Sequence, residues 1–164
     1  MRLMEKIPIT KAGFARLKRE LEILKTVSIP ENIRDIETAR AQGDLSENAE
    51  YSAAKERQSF LHGRMQEMEN NLAMSDVIEL KNLSCDRAVF GATVTIEDGS
   101  NGKRIAYRLV GPLESDLERN RISVTSPIGR ALIGKCVGEE VSVNTPGGVR
   151  EFEIADISIE EEGD

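Results

Sequence analysis

Two hydrophobic periods divide this chain of 164 residues. In the first part, apolar side chains recur every three or four positions, as in the run Phe14, Leu17, Leu21 and Leu24. This spacing places a narrow apolar stripe along one face of a helix. Beyond Asp76 the apolar residues alternate with polar ones, which is the period of a half-buried strand. The chain is therefore predicted to fold into two parts with different secondary structure.

The helical part contains one break, at the polar segment 41–44, after which the stripe resumes. Two striped helices joined by a short loop run antiparallel and pack on each other, so this part is predicted to be an N-terminal antiparallel α-helical coiled-coil hairpin. Thr10 is predicted to cap the first helix. Pro30 indicates a kink or a short restart, with Ile33 and Ile36 resuming the stripe. The about 33 positions from residue 10 to 42 give an arm of roughly 50 Å if fully helical.

The second part carries the pattern of a small α+β domain. Residues 89–96 alternate, and the turn cluster 98–102 separates them from another alternating run, which predicts a β-hairpin. Ser126 and Pro127 are predicted as the N-cap and first residue of a short helix that Gly134 ends. We expect a mostly antiparallel sheet, and we place the two domains at residues 1–78 and 79–164.

The charge balance argues against free nucleic acid as the main ligand. The chain carries 22 basic and 29 acidic side chains, a net charge of −7. Non-specific binding to duplex DNA depends on a positive field that such a chain lacks. We therefore expect no specific binding to free DNA.

The sequence offers little evidence for a metal site, an export signal or a membrane segment. Cys85 and Cys136 form no CxxC pair, and His62 is the sole histidine, which argues against a zinc site or a Cys–His dyad. Neither an export signal nor an apolar stretch of about 18 residues is present. The sequence thus predicts a cytoplasmic protein with no membrane partner.

The break between the predicted helices holds two carboxylates, Asp44 and Glu47, at the end of a long rod. Paired carboxylates suit a hard cation such as Mg²⁺, which can lower the pKa of a bound water for attack on a phosphodiester. The same Asp-x-x-Glu spacing is also the capping-box pattern of a helix start, with Asp44 as N-cap and Glu47 as N3. Both interpretations stay open, since a capping geometry would also fix the two side chains at the tip.

The run from Gly43 to Tyr51, GDLSENAEY, closely resembles the tip motif of the bacterial Gre family of transcription elongation (transcript cleavage) factors, in its GreA branch. The resemblance continues in residues 90–94, 122–135 and 145–148, and it covers nearly the whole chain, from residue 7 to about 159. It implies a coiled-coil hairpin followed by an FKBP-like globular domain, which agrees with the two hydrophobic periods.

The resemblance also implies a partner and a reaction. In the family, the coiled coil enters the secondary channel of RNA polymerase, and the tip acids help to hold a second Mg²⁺ and its attacking water. Backtracked nascent RNA is then cut near its 3′ end by the polymerase active site. By resemblance, Asp44 and Glu47 are the catalytic acids of a factor that is not itself an enzyme. We expect no cofactor or metal on the chain alone, Mg²⁺ shared with the polymerase, and weak contact with DNA only through the complex.

A basic group near the tip is implied to contact the RNA 3′ segment: Arg40, Lys55 and Arg57. Lys55 replaces an arginine that is frequent in the family, which keeps the charge but loses the bidentate fork. This substitution predicts weaker RNA contact and short cleavage products. The alternative is that these are solvated surface charges that pair with neighbouring glutamates. The glutamates in question are Glu37, Glu50 and Glu56.

Four further residues match family motifs. Asn48 and Tyr51 are expected to support the tip, although Tyr51 could instead pack against the first helix. Ser126 and Pro127 are expected to dock on the rim of the polymerase channel, beside their local role at a helix start.

Three other functions remain open at this level. A prolyl isomerase or chaperone needs an aromatic-walled pocket, and residues 81–164 offer only Phe90, Tyr107 and Phe152. A regulator that occupies the channel without promoting cleavage would be expected to lose the tip acids or to shorten the arm. A structural coiled-coil adaptor explains the arm but not the motifs of the second part.

Overall fold

The computed structural model describes residues 6–44, 48–79 and 86–159. The chain forms two compact units, a helical unit of Phe14–Met74 and a sheet unit that combines Met1–Gly13 with Ser75–Asp164. Within the described residues, we find no helix that is long and apolar enough to cross a membrane. The α+β class, with a helical hairpin followed by a mostly antiparallel sheet, is confirmed.

The helices run in the order α1, α2 and α3. Helix α1 spans Lys11–Ile23, α2 spans Ile29–Ala41 and α3 spans Ala49–Met74, with a π-helical turn at Leu24–Ser28 between α1 and α2. The predicted cap is confirmed, since the Thr10 hydroxyl accepts a hydrogen bond of 3.0 Å from the backbone N–H of Gly13.

The widened turn between α1 and α2 accommodates Pro30. A proline has no N–H to donate, and inside a helix its ring crowds the carbonyl four residues earlier. Here the preceding turn is π-helical, so the Ile29 N–H donates to the Leu24 carbonyl, and Pro30 falls in the first turn of α2. The predicted position of Pro30 in the first turn of the second helical piece is confirmed, whereas the π-helical turn that joins the two pieces was not foreseen.

The two arms of the hairpin run antiparallel, and buried side chains line their contact, which we call the seam. Leu24, Leu61 and Met68 form a buried cluster, against which Met65 and other apolar side chains pack. Nearer the tip, the buried apolar residues of the seam are Ile36, Ala39 and Ala54. The expectation for Ile33 is wrong: it is 44% exposed, and Asn32 occupies the buried position instead. Asn32 precedes Ile36 by four residues and Ala39 by seven, so it lies on their face of the helix.

The sheet unit contains a five-stranded sheet in the order β5-β4-β3-β7-β6. Its pairs are antiparallel except β4 with β5, which is parallel. Two short strands of the same unit, β1 and β2, pair in parallel. The strands are β1 Ile7–Ile9, β2 Ser75–Val77, β3 Thr93–Asp98, β4 Arg104–Val110, β5 Arg121–Ser123, β6 Glu140–Thr145 and β7 Gly148–Ser158.

The short helix α4, Pro127–Leu132, packs against this sheet. Its predicted N-cap is confirmed, because the Ser126 hydroxyl accepts a 3.1 Å hydrogen bond from the Gly129 N–H. Gly129 lies so close to the Ser123 carbonyl that a Cβ would overlap it. The core of the unit consists of Ala88, Ala92, Val94, Ile96, Leu109, Ile122, Leu132, Val141, Val143, Phe152, Ile154 and Ile157.

A buried carboxylate fixes the N-terminal residues within the sheet unit. Glu114 is 9% exposed, and its Oε2 accepts hydrogen bonds from the N–H groups of Thr10, at 3.1 Å, and Gly111, at 3.0 Å. The Thr10 hydroxyl donates to its other oxygen. Gly13 lies against this carboxylate, and a Cβ there would overlap it. These contacts and the β1–β2 pairing explain why the first residues group with the sheet unit, whereas the sequence pattern had placed residues 1–78 together.

Candidate functional site

The tip of the hairpin is the connection between α2 and α3, residues 42–48, which we call the tip loop. Helix α2 ends as the Gln42 N–H donates to the Ala39 carbonyl at 3.2 Å. Gly43 follows with a φ of +124°, a backbone conformation that a side chain would strain. Asp44 comes next and is exposed. The turn thus places one of the two predicted acids at the end of the hairpin, while Glu47 lies outside the described residues.

Asp44 is not the N-cap of α3, and Glu47, the other half of the predicted capping box, lies outside the described residues. Helix α3 begins at Ala49, and its cap is Asn48, whose Oδ1 accepts a 3.0 Å hydrogen bond from the Tyr51 N–H. Asparagine and aspartate cap helices about equally well, so capping preference alone does not decide between the two positions. Asn48 has a second partner that a carboxylate could not have: its Nδ2 donates to the Ala39 carbonyl at 2.7 Å. The amide therefore satisfies groups at both ends of the tip loop.

Tyr51 and Arg40 lie together beside the loop. Tyr51 is half-buried, and the Arg40 guanidinium carbon lies 6.0 Å from the centre of its ring. This distance is at the limit of a cation–π contact. The contact with α2 supports the interpretation that Tyr51 packs against the first arm. Arg40 also lies in the last turn of α2, where positive charge is favourable to the helix dipole.

The three predicted basic residues are all exposed, but they do not share one face. Lys55 is four residues after Tyr51 on α3, so it lies on the same side as the Arg40–Tyr51 pair. Its Nζ donates to the Gln58 side chain at 2.9 Å. Arg57 is two residues further, about 200° around the helix from Lys55. The structure therefore groups Arg40 with Lys55 and places Arg57 on another side.

The predicted docking pair lies in the sheet unit. The Ser126 hydroxyl donates to the Ser123 carbonyl at 2.6 Å, in addition to capping α4. Its hydrogen-bonding capacity is therefore used within the loop. Pro127 is exposed at the first turn of α4 and presents its ring to the surroundings.

The described residues do not form a metal site of their own. Across residues 6–44, 48–79 and 86–159, no group of three or more histidine, cysteine, aspartate or glutamate side chains is arranged to hold a metal ion. The one described tip acid, Asp44, can offer a single carboxylate. Such a donor suits a cation whose other ligands come from elsewhere.

Sequence reasoning missed Asn32, a buried polar residue in the hairpin seam. Its side chain is 2% exposed, and Nδ2 donates to the Ala54 carbonyl of α3 at 2.9 Å. The signal was available, because Asn32 lies at helical spacing from Ile36 and Ala39. A polar residue at such a position usually selects one register of two packed helices.

Comparison with known proteins then identifies the family. The family model described as the N-terminal part of a transcription elongation factor matches residues 7–77. The C-terminal GreA/GreB family model matches residues 83–159. The chain belongs to the GreA/GreB family of transcription elongation factors. The resemblance noted from the tip motif is therefore confirmed.

Several relatives in this family are similar over nearly their whole length. The chain is 69% identical to transcription elongation factor GreA of Syntrophus aciditrophicus, covering 95% of this chain and 97% of the relative. It is 51% identical to GreA of Anaeromyxobacter sp. strain K, with coverages of 97% and 96%. Among solved structures, the Gfh1 protein of Thermus thermophilus is 28% identical, with a TM-score of 0.44 and coverages of 94% and 99%.

The family assignment makes the prolyl isomerase alternative unnecessary, and one concave region among the described residues of the sheet unit differs from such a site. A concave region on this unit is lined by four glutamates with Phe152 as its one aromatic residue. A proline-binding pocket would need aromatic walls. The glutamates are Glu97, Glu140, Glu151 and Glu153.

Proposed function

We propose that this GreA/GreB family member binds RNA polymerase and inserts its hairpin tip into the secondary channel. There it stimulates the polymerase's own hydrolytic cleavage of backtracked nascent RNA, so that an arrested complex restarts. The observation that carries the proposal is the exposed Asp44 carboxylate at the end of a helical hairpin, on a loop that Asn48 joins to both helices.

The tip acids supply oxygen ligands rather than a complete site. In the proposed reaction, Mg²⁺ shared with the polymerase lowers the pKa of a water for attack on the RNA phosphodiester. Asp44 and Glu47 contribute carboxylate oxygens, the ligand type that this cation prefers. The N-cap of α3 is Asn48, so the cap of this helix does not depend on the Asp44 carboxylate. The chain needs no resident metal for this role.

The basic residues near the tip give the hairpin a local affinity for RNA despite the net charge of −7. Arg40 and Lys55 lie on the side of Tyr51 and could hold phosphates of the RNA 3′ segment together. Lysine interacts with a phosphate as a point charge, without the fork of arginine. Arg57 would contact RNA or polymerase from another side of α3.

A second contact with polymerase is proposed for the sheet unit. Pro127 is exposed at the start of α4, and the Ser126 hydroxyl holds the loop around it through its two hydrogen bonds. We assign the surface contact to Pro127, on the rim of the channel, and to Ser126 the fixing of the loop.

The proposal is tested with halted, backtracked polymerase complexes and the chain carrying Asp44→Asn or Glu47→Gln. Each substitution removes a carboxylate with little change of shape. We expect stimulated cleavage at saturating factor to fall about 100-fold or more, as when one transition-state contact is removed. Binding to polymerase should stay close to that of the unaltered chain.

The matched control is Asp35→Asn, which removes an exposed carboxylate from α2 away from the tip loop. This variant should stimulate cleavage like the unaltered chain. Full stimulation by Asp44→Asn would show that Asp44 has no part in the chemistry. An unaltered chain that binds the polymerase without promoting cleavage would identify a regulator of the channel instead.

A further inference from the structure

Two asparagine amides connect α2 and α3 at the tip end of the hairpin. Asn32 of α2 donates from Nδ2 to the Ala54 carbonyl of α3 at 2.9 Å. Asn48, at the start of α3, donates from Nδ2 to the Ala39 carbonyl of α2 at 2.7 Å. The two bonds run in opposite directions, one from each side of the seam.

Both acceptors are backbone atoms, which gives these bonds a particular consequence. A backbone carbonyl cannot move to follow a side chain, so each bond fixes the height of one helix against the other. Asn32 and Ala39 are seven residues apart on α2, and Asn48 and Ala54 are six apart at the start of α3. The two bonds therefore define the register over the last two turns below the tip loop.

The apolar packing in these turns contains fewer large side chains than the lower part of the hairpin. The buried apolar residues here are Ile36 and the two acceptor residues, Ala39 and Ala54, whereas the lower seam contains Leu24, Leu61 and Met68. Alanine side chains offer little shape to resist sliding. A shift of the helices would instead separate the buried Asn32 amide from its partner, which is costly in a site that excludes water.

We propose that Asn32 and Asn48 are positioning residues that hold Asp44 at a fixed height and angle at the end of the hairpin. This inference rests on the proposed function, because the position of Asp44 affects cleavage only if its carboxylate acts in the polymerase. A displacement of about 1 Å in a reacting group can cost roughly 100-fold in rate. The two amide bonds thus supply register control in turns where two of the three buried apolar residues are alanines.

The two discriminating variants each remove one amide donor, and only Asn48→Asp changes the charge of the chain. Asn48→Asp keeps an oxygen acceptor for the Tyr51 N–H, and with it the cap of α3, but has no donor for the Ala39 carbonyl. Asn32→Leu fills the seam with an apolar side chain. The control is Lys25→Gln, which breaks the exposed ion pair between Lys25 and Glu69, 2.7 Å long, lower in the hairpin.

We expect Asn48→Asp and Asn32→Leu to reduce the maximal stimulated cleavage rate about tenfold or more, within the range that small displacements produce. The factor concentration at half-maximal effect and the helix content should stay near those of the unaltered chain. A role in stability alone would not separate the two kinetic quantities. The Lys25→Gln control should change neither. Unaltered maximal rates in both asparagine variants would overturn the inference.

Amide hydrogen exchange on the free chain tests the register without the polymerase. In Asn48→Asp the Tyr51 amide should stay protected by its cap, while the amides at the end of α2 should exchange several-fold faster. Asn32→Leu should accelerate exchange at both helix ends beside the tip loop. Unchanged exchange in both variants would overturn the inference, whether or not the chain stimulates cleavage. If the unaltered chain fails to stimulate cleavage but the exchange changes as expected, the proposed function fails and the register control stands.

Discussion

The buried Glu114 carboxylate gives the sharpest prediction for stability. It receives the N–H groups of Thr10 and Gly111 on one oxygen and the Thr10 hydroxyl on the other. Glu114→Ala leaves two buried N–H donors without an acceptor, while the hydroxyl can rotate to another partner. At about 1–3 kcal/mol for each unsatisfied group, the free energy of unfolding of the sheet unit should fall by roughly 2–6 kcal/mol.

Glu114→Gln is the matched comparison. The glutamine oxygen can still accept both N–H groups, and its amide can donate to the Thr10 hydroxyl oxygen, which has room for a second donor. The loss is then the difference between charge-assisted and neutral hydrogen bonds, about 1–2 kcal/mol. The order of stability should therefore be the unaltered chain, then glutamine, then alanine.

The loss is measured by urea unfolding of the full chain. Amide hydrogen exchange of the β-strands serves as the readout, because it reports on the sheet unit. The Thr10 amide itself should lose its protection in Glu114→Ala. A Glu114→Ala variant within about 0.5 kcal/mol of the unaltered chain would behave like an ordinary surface substitution and would refute the reasoning.

Two further predictions concern the hairpin and a surface turn. Leu61→Ala should destabilise the helical unit by about 2–5 kcal/mol in thermal melting, because Leu61 is 4% exposed, whereas Phe60→Ala, at 68% exposure, should cost about 0.5 kcal/mol or less. Hydrogen bonds from Ser100, with a smaller contribution from Arg150, lower the pKa of Asp98 to about 2. Its stabilisation is therefore present above its unfolded pKa of about 3.9 and is lost as the pH falls through about 2, so Asp98→Asn should flatten this part of the acid unfolding curve.

Much of the architecture follows from periodicity, because each helix or strand repeats its apolar pattern several times. The caps Thr10 and Ser126 and the turn at residues 98–102 were predictable because local side-chain chemistry specifies them. The pairing of β1 with β2 was not, since three residues are too few to show a period and their partner lies more than sixty positions away. The role of Glu114 was hidden for the same reason, because its partner Thr10 lies 104 positions away in the sequence.

The candidate site shows where local patterns become ambiguous. The spacing of the tip motif pointed to Asp44 as the helix cap, but asparagine caps a helix about as well as aspartate, and the cap of α3 is Asn48. The structure decides through a contact across the hairpin, the bond from Asn48 to the Ala39 carbonyl. Only the amide can both accept from α3 and donate to α2.

This choice of cap bears directly on the chemistry proposed for the tip. A carboxylate that caps a helix has an oxygen engaged by backbone N–H groups, which stabilise its charge and reduce its value as a metal ligand. At the start of α3 the capping role belongs to a neutral amide, Asn48, and the exposed carboxylate of Asp44 lies four residues earlier. Structural support and proposed reactivity are thus assigned to different residues of one short run. An Asn48→Asp variant keeps Asp44 but adds a negative charge beside it, so the uncharged Asn32→Leu variant must show the same loss of cleavage before the loss is assigned to the position of that acid.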